Sequence, residues 1–205
     1  MYNNQYMNKF LFAFGFLLTL CNPIYPQEAA QNYIRTRVML NESGSSYMDE
    51  IVYYDGLGRP FQTVQKGITP SLQSLISLQE YDEVGRKGKS WLPVTSASHY
   101  MGSADVISSA PGNYNNDSHP YHQPVYESSP LNRIIQQYGP GADWYSGHPV
   151  ATEYLANTTV SPLHCINYSV NSSGGLVNNG NYVATQLYVI KVTDEDGNVG
   201  YTFID

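Results

Sequence analysis

The sequence predicts a mainly β fold in which antiparallel hairpins stack as an open, incomplete repeat sheet with long loops. Three observations point to it. A Tyr-Asp-x-x-Gly-Arg motif occurs twice, as Tyr54-Asp55-Gly56-Leu57-Gly58-Arg59 and Tyr81-Asp82-Glu83-Val84-Gly85-Arg86, each copy standing between two strand-like segments. The offset between the copies falls in the range that marks repeat architectures. The composition, with 19 Tyr against 6 Phe and only 13% charged residues, suits strands and turns, and no amphipathic helical pattern persists past two turns.

At 205 residues the chain can bury a real core and fits one domain. Its formal charge of −7 arises from few acids and fewer bases, so no basic stripe exists to track phosphates and nucleic acid is not expected as a partner. Residues 1–26 read as a secretory signal peptide, with Lys9 in a short polar start and an apolar run over 10–20, and cleavage is expected within 21–30. That run is too short to cross a bilayer as a helix, so no transmembrane helix is expected. The protein is therefore expected to be exported, either secreted or on the outer cell surface. Lipid attachment at Cys21 is the weaker alternative, because Leu20 occupies a position that normally holds Gly, Ala or Ser. Removal of the leader leaves Cys165 without an internal disulfide partner, so stability must come from packing and stacking.

The elements of residues 27–205 follow in order. From Tyr33 the chain alternates through Ile34, Val38 and Leu40, and Asn41-Glu42-Ser43-Gly44 supplies a turn. The first repeat spans about 47–66: a strand with apolar bulk on both faces, the Asp55–Gly58 turn, and a returning strand from Arg59. The second spans 75–91 with the same grammar, although 70–80 also reads as a short helix. A degraded third copy spans 125–137, where Asn132-Arg133 replaces Gly-Arg; Asn is the non-glycine residue that best tolerates a left-handed backbone, so the turn survives with two extra residues. A fourth hairpin at 186–204 turns at Asp194-Glu195-Asp196-Gly197-Asn198 and lacks the Arg. Residues 94–124 and 171–181 read as loops.

Each residue of the motif has a local role. The Asp55 and Asp82 carboxylates can cap backbone N–H groups, and Gly58 and Gly85 can take a positive φ. Arg59 and Arg86 can pair with the Asp or lie on a Tyr ring, contacts worth about 0.5–1 kcal/mol each when exposed. A single hairpin is marginal, whereas stacked hairpins bury a continuous face.

These two motifs resemble the YD repeats of bacterial Rhs proteins. Arg35-Thr36-Arg37-Val38-Met39-Leu40, Trp91-Leu92-Pro93, Tyr126-Glu127-Ser128-Ser129-Pro130-Leu131-Asn132-Arg133 and Gly147-His148-Pro149-Val150 look like the domain of unknown function that heads many such proteins. The resemblance extends over roughly 32–205. It implies a module that precedes a long β-sheet shell, often wound around a variable toxin, and it identifies Tyr54, Asp55, Gly58, Arg59, Tyr81, Asp82, Gly85, Arg86, Asn132 and Arg133 as repeat-motif residues. The chain carries no such shell and no toxin site, so toxin delivery is not implied. The expected role is that of a structural or docking head, with the shell or another protein as partner through an exposed strand at 199–205.

No catalytic or cofactor motif emerges. Asp194-Glu195-Asp196-Gly197 lacks the EF-hand spacing and reads as an Asp-Gly hairpin. His119 and His122 have no evident third metal ligand. His164 and Cys165, adjacent in sequence, would point to opposite faces of a strand. Gly139-Pro140-Gly141 cannot cradle a phosphate because Pro lacks an N–H. The alternative to a structural head is a surface glycan-binding module, with Trp91, Trp144, Tyr145 and exposed Tyr rings as a sugar platform.

Overall fold

The computed structural model describes residues 31–205. The expected leader, its cleavage window and Cys21 lie outside the described residues. Strands β1 (Asn32–Met39), β2 (Tyr47–Tyr54), β3 (Pro60–Lys66), β4 (Ser74–Tyr81) and β5 (Lys87–Ser96) run back and forth before helix α1 (Ser103–Asn113). Strands β6 (Tyr121–Tyr126) and β7 (Ile134–Tyr138) follow, then the short helix α2 (Ala142–Tyr145) and β8 (Val150–Ala156). The ribbon of β9 (Ile166–Val170) and β10 (Leu176–Asn181) precedes β11 (Tyr188–Thr193) and β12 (Val199–Ile204).

Among the described residues ten strands form one sheet in the order β1-β2-β3-β4-β5-β6-β7-β8-β11-β12, and β9 pairs only with β10. Every pairing is antiparallel. The sheet is therefore a meander, interrupted where the β9–β10 ribbon leaves it, and it is open, with β1 and β12 as its edges. Antiparallel order also sorts the connections. The β2–β3, β4–β5 and β6–β7 turns share one end of the sheet with the ribbon, whereas α1, α2 and the β11–β12 turn occupy the other end.

Alternation along the strands builds the core. Ile51 and Tyr53 of β2, Val64 of β3, Ile76 and Leu78 of β4 and Trp91 and Val94 of β5 are buried, and Val106 and Ala110 of α1 close over them. Burying each large apolar side chain contributes about 1.5–3 kcal/mol. The segment that leads into α1 is fastened to the sheet by polar contacts. The Tyr53 hydroxyl donates to the His99 carbonyl at 3.0 Å, and the Gln62 amide exchanges bonds with the Met101 backbone at 2.7 and 3.3 Å.

Pairing is uneven across the sheet. β1 and β2 are matched over eight residue pairs from Asn32↔Tyr54 to Met39↔Tyr47. By contrast the β5–β6 register covers Ser90↔His122 and Trp91↔Tyr121, with one more backbone bond from the Leu92 N–H to the Pro120 carbonyl at 3.0 Å, and the β7–β8 register covers Gln136↔Ala151 and Gln137↔Val150.

Three sequence expectations are corrected. Residues 70–80 are not helical: after a turn they enter β4, in which Ser74, Ile76 and Leu78 are buried in strict alternation. A short apolar run is ambiguous between the two periods, and pairing with β3 and β5 decides it. Residues 94–124 are not a loop, since β5 runs to Ser96, α1 occupies Ser103–Asn113 and β6 starts at Tyr121. The helix escapes notice because it buries only Val106 and Ala110 and contains Ser, Gly and Pro111. Residues 171–181 form a hairpin turn and β10 rather than an irregular loop.

Candidate functional site

The motif residues gather in the three turns at one end of the sheet. In the first, the Asp55 N–H donates to the Arg59 carbonyl at 2.9 Å and the Gly58 N–H to the Asp55 carbonyl at 3.0 Å. Asp55 Oδ1 accepts the N–H groups of Leu57 and Arg59, both at 2.9 Å, while Oδ2 accepts Arg59 Nε at 2.8 Å. Gly58 has φ +76°, a left-handed conformation open to Gly at little cost. The second turn repeats the pattern with Asp82, Gly85 at φ +85° and Arg86, whose Nε lies 2.7 Å from Asp82 Oδ2.

Both carboxylates titrate below the usual Asp range. At Asp55 the backbone N–H of Arg59 is the main cause, joined by its side chain. At Asp82 burial is the largest single influence and pushes upward, but the bonds from Arg86 together outweigh it.

The third turn reaches the same result by different means. The Glu127 N–H donates to the Arg133 carbonyl at 3.0 Å, and Arg133 grips the Glu127 carboxylate with Nε and Nη2 at 2.8 and 2.7 Å. The longer loop needs the longer acid. It also transfers the backbone-capping role to Ser129, whose hydroxyl accepts the Leu131 N–H at 3.2 Å and donates to Glu127 Oε1 at 2.5 Å. Asn132 holds the left-handed position at φ +55°, where the other turns have Gly. Arg133, with help from Ser129, holds the Glu127 pKa at about 2.

Each Arg, while bound to the acid of its own turn, also covers a Tyr of the next strand. The Arg59 guanidinium lies 4.3 Å from the Tyr81 ring centroid, Arg86 is 4.3 Å from that of Tyr126, and Arg133 is 4.3 Å from that of Tyr154. Each phenol returns a hydrogen bond to the carbonyl of the residue after that Arg: Tyr81 to Pro60 at 2.8 Å, Tyr126 to Lys87 at 3.1 Å and Tyr154 to Ile134 at 3.3 Å. Continuing the strand registers sets each Arg directly across from its Tyr. The result is a ladder of acid, arginine and tyrosine running from β3 to β8. Two of its three rungs, Arg86–Tyr126 and Arg133–Tyr154, cross the seams where backbone pairing is thinnest. Arg86 Nη1 adds a bond across the same seam to Asn132 Oδ1 at 3.2 Å.

Among the described residues no Arg or Lys covers Tyr54, which begins the series. Its register partner on β1, at the place an Arg holds in the other three pairs, is Asn32. The edge strand β1 is held instead by Arg35 and Arg37, which converge on the buried carboxylate of Asp49. Arg37 above all, then Arg35, keeps Asp49 well below the usual carboxylate range against the opposing effect of burial.

Two further turns share the backbone pattern but carry no rung. Asp194 accepts the N–H groups of Asp196 and Asn198 at 3.0 and 2.8 Å, and Asn198 Nδ2 stands in for the guanidinium at 2.9 Å. This turn lies at the end of the sheet opposite the ladder. Asn171 accepts the N–H groups of Ser173 and Gly175 at 3.0 and 2.8 Å, with Gly174 at φ +80°. The sequence reading missed this turn, although an Asn three residues before a Gly could have revealed it.

The other candidates are scattered. His119 stacks on Tyr145 at 4.0 Å between ring centroids, whereas His122 is exposed on β6. Among the described residues no group of three His, Cys, Asp or Glu side chains is placed to hold a metal ion. The Cys165 thiol points to the Ile166 carbonyl at 3.9 Å, and His164 is exposed. Trp91 is buried in the core and unavailable as a sugar platform, while Trp144 is 46% exposed. No described helix is long and apolar enough to cross a membrane.

No curated protein and no solved structure matches the chain. A family model does, described as "Domain of unknown function (DUF6443)", over residues 27–156. The match ends at the last residue of β8, so it takes in the whole ladder and excludes β9–β12. The chain belongs to the DUF6443 family of domains of unknown function.

Proposed function

We propose that this chain is the structural head of an exported repeat protein of the bacterial Rhs/YD-repeat type, a docking module without catalysis. The observation that carries this reading is the ladder. In each of three successive hairpins the Arg both pairs with the acid of its own turn and covers a Tyr on the next strand, so the unit is one that works by being followed by another. The open edge at β12 supports the same reading. Among the described residues β12 pairs with β11 alone, and its outward N–H and C=O groups form a template for an added strand. The partner is then a repeat shell, or another protein that supplies an edge strand.

Sequencing of the DNA downstream of the Asp205 codon, translated in all frames, tests the proposal. Further Tyr-Asp-x-x-Gly-Arg hairpins are expected there. An unrelated gene with no such hairpins in any frame overturns the head-domain reading.

A further inference from the structure

At the end of the sheet opposite the ladder, the approach to α2 and the β11–β12 turn enclose a cleft of about 350 Å³ lined by Gly139, Pro140, Trp144, Glu195 and Asp196. Its walls are tied together, since His148 Nδ1 donates to the Glu195 carbonyl at 3.0 Å. The indole is held in place as well. His148 meets it edge-on, with ring centroids 5.6 Å apart, and the Trp144 Cδ1 atom lies 3.4 Å from where a Cβ on Gly141 would stand. Gly141, at φ +111°, has none. Nearly half of Trp144 nonetheless remains exposed. Glu195 and Asp196 are exposed too, and among the described residues no Arg or Lys forms an ion pair with either.

The protein shows in its own ladder what such a combination accommodates. Three times it sets a guanidinium between a carboxylate and an aromatic ring: Arg59 with Asp55 and Tyr81, Arg86 with Asp82 and Tyr126, Arg133 with Glu127 and Tyr154. The Trp144 cleft is lined by an aromatic residue and two acidic residues with no Arg among them. Trp is the strongest cation–π acceptor of the aromatic side chains, and a planar guanidinium can stack on it while its edge donates to carboxylates. A formal charge of −7 for the whole chain favours approach of a cation.

We propose that the cleft formed by Trp144, Glu195 and Asp196 binds an arginine side chain presented by a partner polypeptide. The site is remote from the ladder and stands independently of the head-domain reading.

The test follows the Trp144 indole N–H in ¹H–¹⁵N spectra; Trp91 is buried in the core and serves as an internal reference. The probes are acetyl-Gly-Arg-Gly-amide, the same peptide with citrulline in place of Arg, and N-acetylglucosamine. A saturable shift with the arginine peptide is expected, with affinity at least about tenfold weaker for the uncharged citrulline peptide. The double variant Glu195→Gln, Asp196→Asn alters only exposed side chains and is expected to weaken binding by about fivefold or more without changing the rest of the spectrum. Trp144→Ala is expected to abolish the response of neighbouring Gly139 and Gly141 amides. Absence of saturation with the arginine peptide, or equal binding of the citrulline peptide, overturns the proposal. Saturation by N-acetylglucosamine with no response to arginine also overturns it and identifies a saccharide site instead.

Discussion

Arg59 meets three demands at once. Its backbone N–H closes the turn onto Asp55, its Nε holds the same carboxylate, and its guanidinium covers Tyr81 on the next hairpin. Gly85 is part of that arrangement, because a Cβ there would come within 3.0 Å of Arg59 Nη1, whereas one on Gly58 would meet nothing within 4 Å. Both glycines have positive φ, so Gly58→Ala and Gly85→Ala are each expected to destabilise by about 1 kcal/mol or more. Gly85→Ala should cost more, since it also forces the Arg59 guanidinium to shift where it covers Tyr81. Urea unfolding of both variants, alone and combined with Arg59→Ala, checks this; the difference between them should vanish once Arg59 is gone. Glu127 governs a pH effect of definite sign. Its folded pKa, about 2, lies below that of an unfolded Glu, so its contribution is complete above the unfolded value and is lost as pH falls toward 2. Asp55 and Asp82 are shifted the same way and add to the slope. Glu127→Gln is therefore expected to flatten the loss of stability between about pH 4.5 and 2. Denaturation curves at stepped pH give the slope, and an unchanged slope would show that the Arg133 pair contributes nothing.

At the scale of the hairpin, the turns were legible in the sequence and their partners were not. Asp55, Gly58, Asp82 and Gly85 act within a few residues of themselves, so turn chemistry exposes them; the left-handed Asn132 was readable for the same reason. Which Tyr each Arg covers depends on strand register, and Arg86 reaches Tyr126 only because an intervening helix returns the chain beside β5. No local pattern contains that information. Helix α1 was invisible for a related reason, since it fully buries only Val106 and Ala110, with Ile107 partly buried beside them, too narrow a stripe to announce a helix. The ladder also predicts how it can be lengthened. Asn32 occupies, opposite Tyr54, the place held by Arg opposite Tyr81, Tyr126 and Tyr154. Asn32→Arg is expected to add a rung and stabilise by about 0.5–1 kcal/mol, an increment that Tyr54→Leu should remove. If the gain persists without Tyr54, the added Arg acts through something other than the ring.

The whole molecule is a sheet with an uneven fabric. One half, β2 to β5, has a buried core under α1 and extensive backbone pairing. Beyond β5 pairing alternates: β6–β7, β8–β11 and β11–β12 are matched over four to six residue pairs, whereas the β5–β6 and β7–β8 seams have two each, and there the arginine rungs reinforce what little backbone register there is. The central claim is that these rungs, more than the strand pairing, join successive hairpins into one cooperative body. Native-state hydrogen exchange on the wild type and on Arg86→Leu tests it most directly, because the substitution cuts the single rung over the β5–β6 seam. The account predicts that protection of β6–β8 amides falls by about fivefold or more while that of β2–β4 is retained. Equal loss across all strands, or no loss in β6–β8, would contradict it.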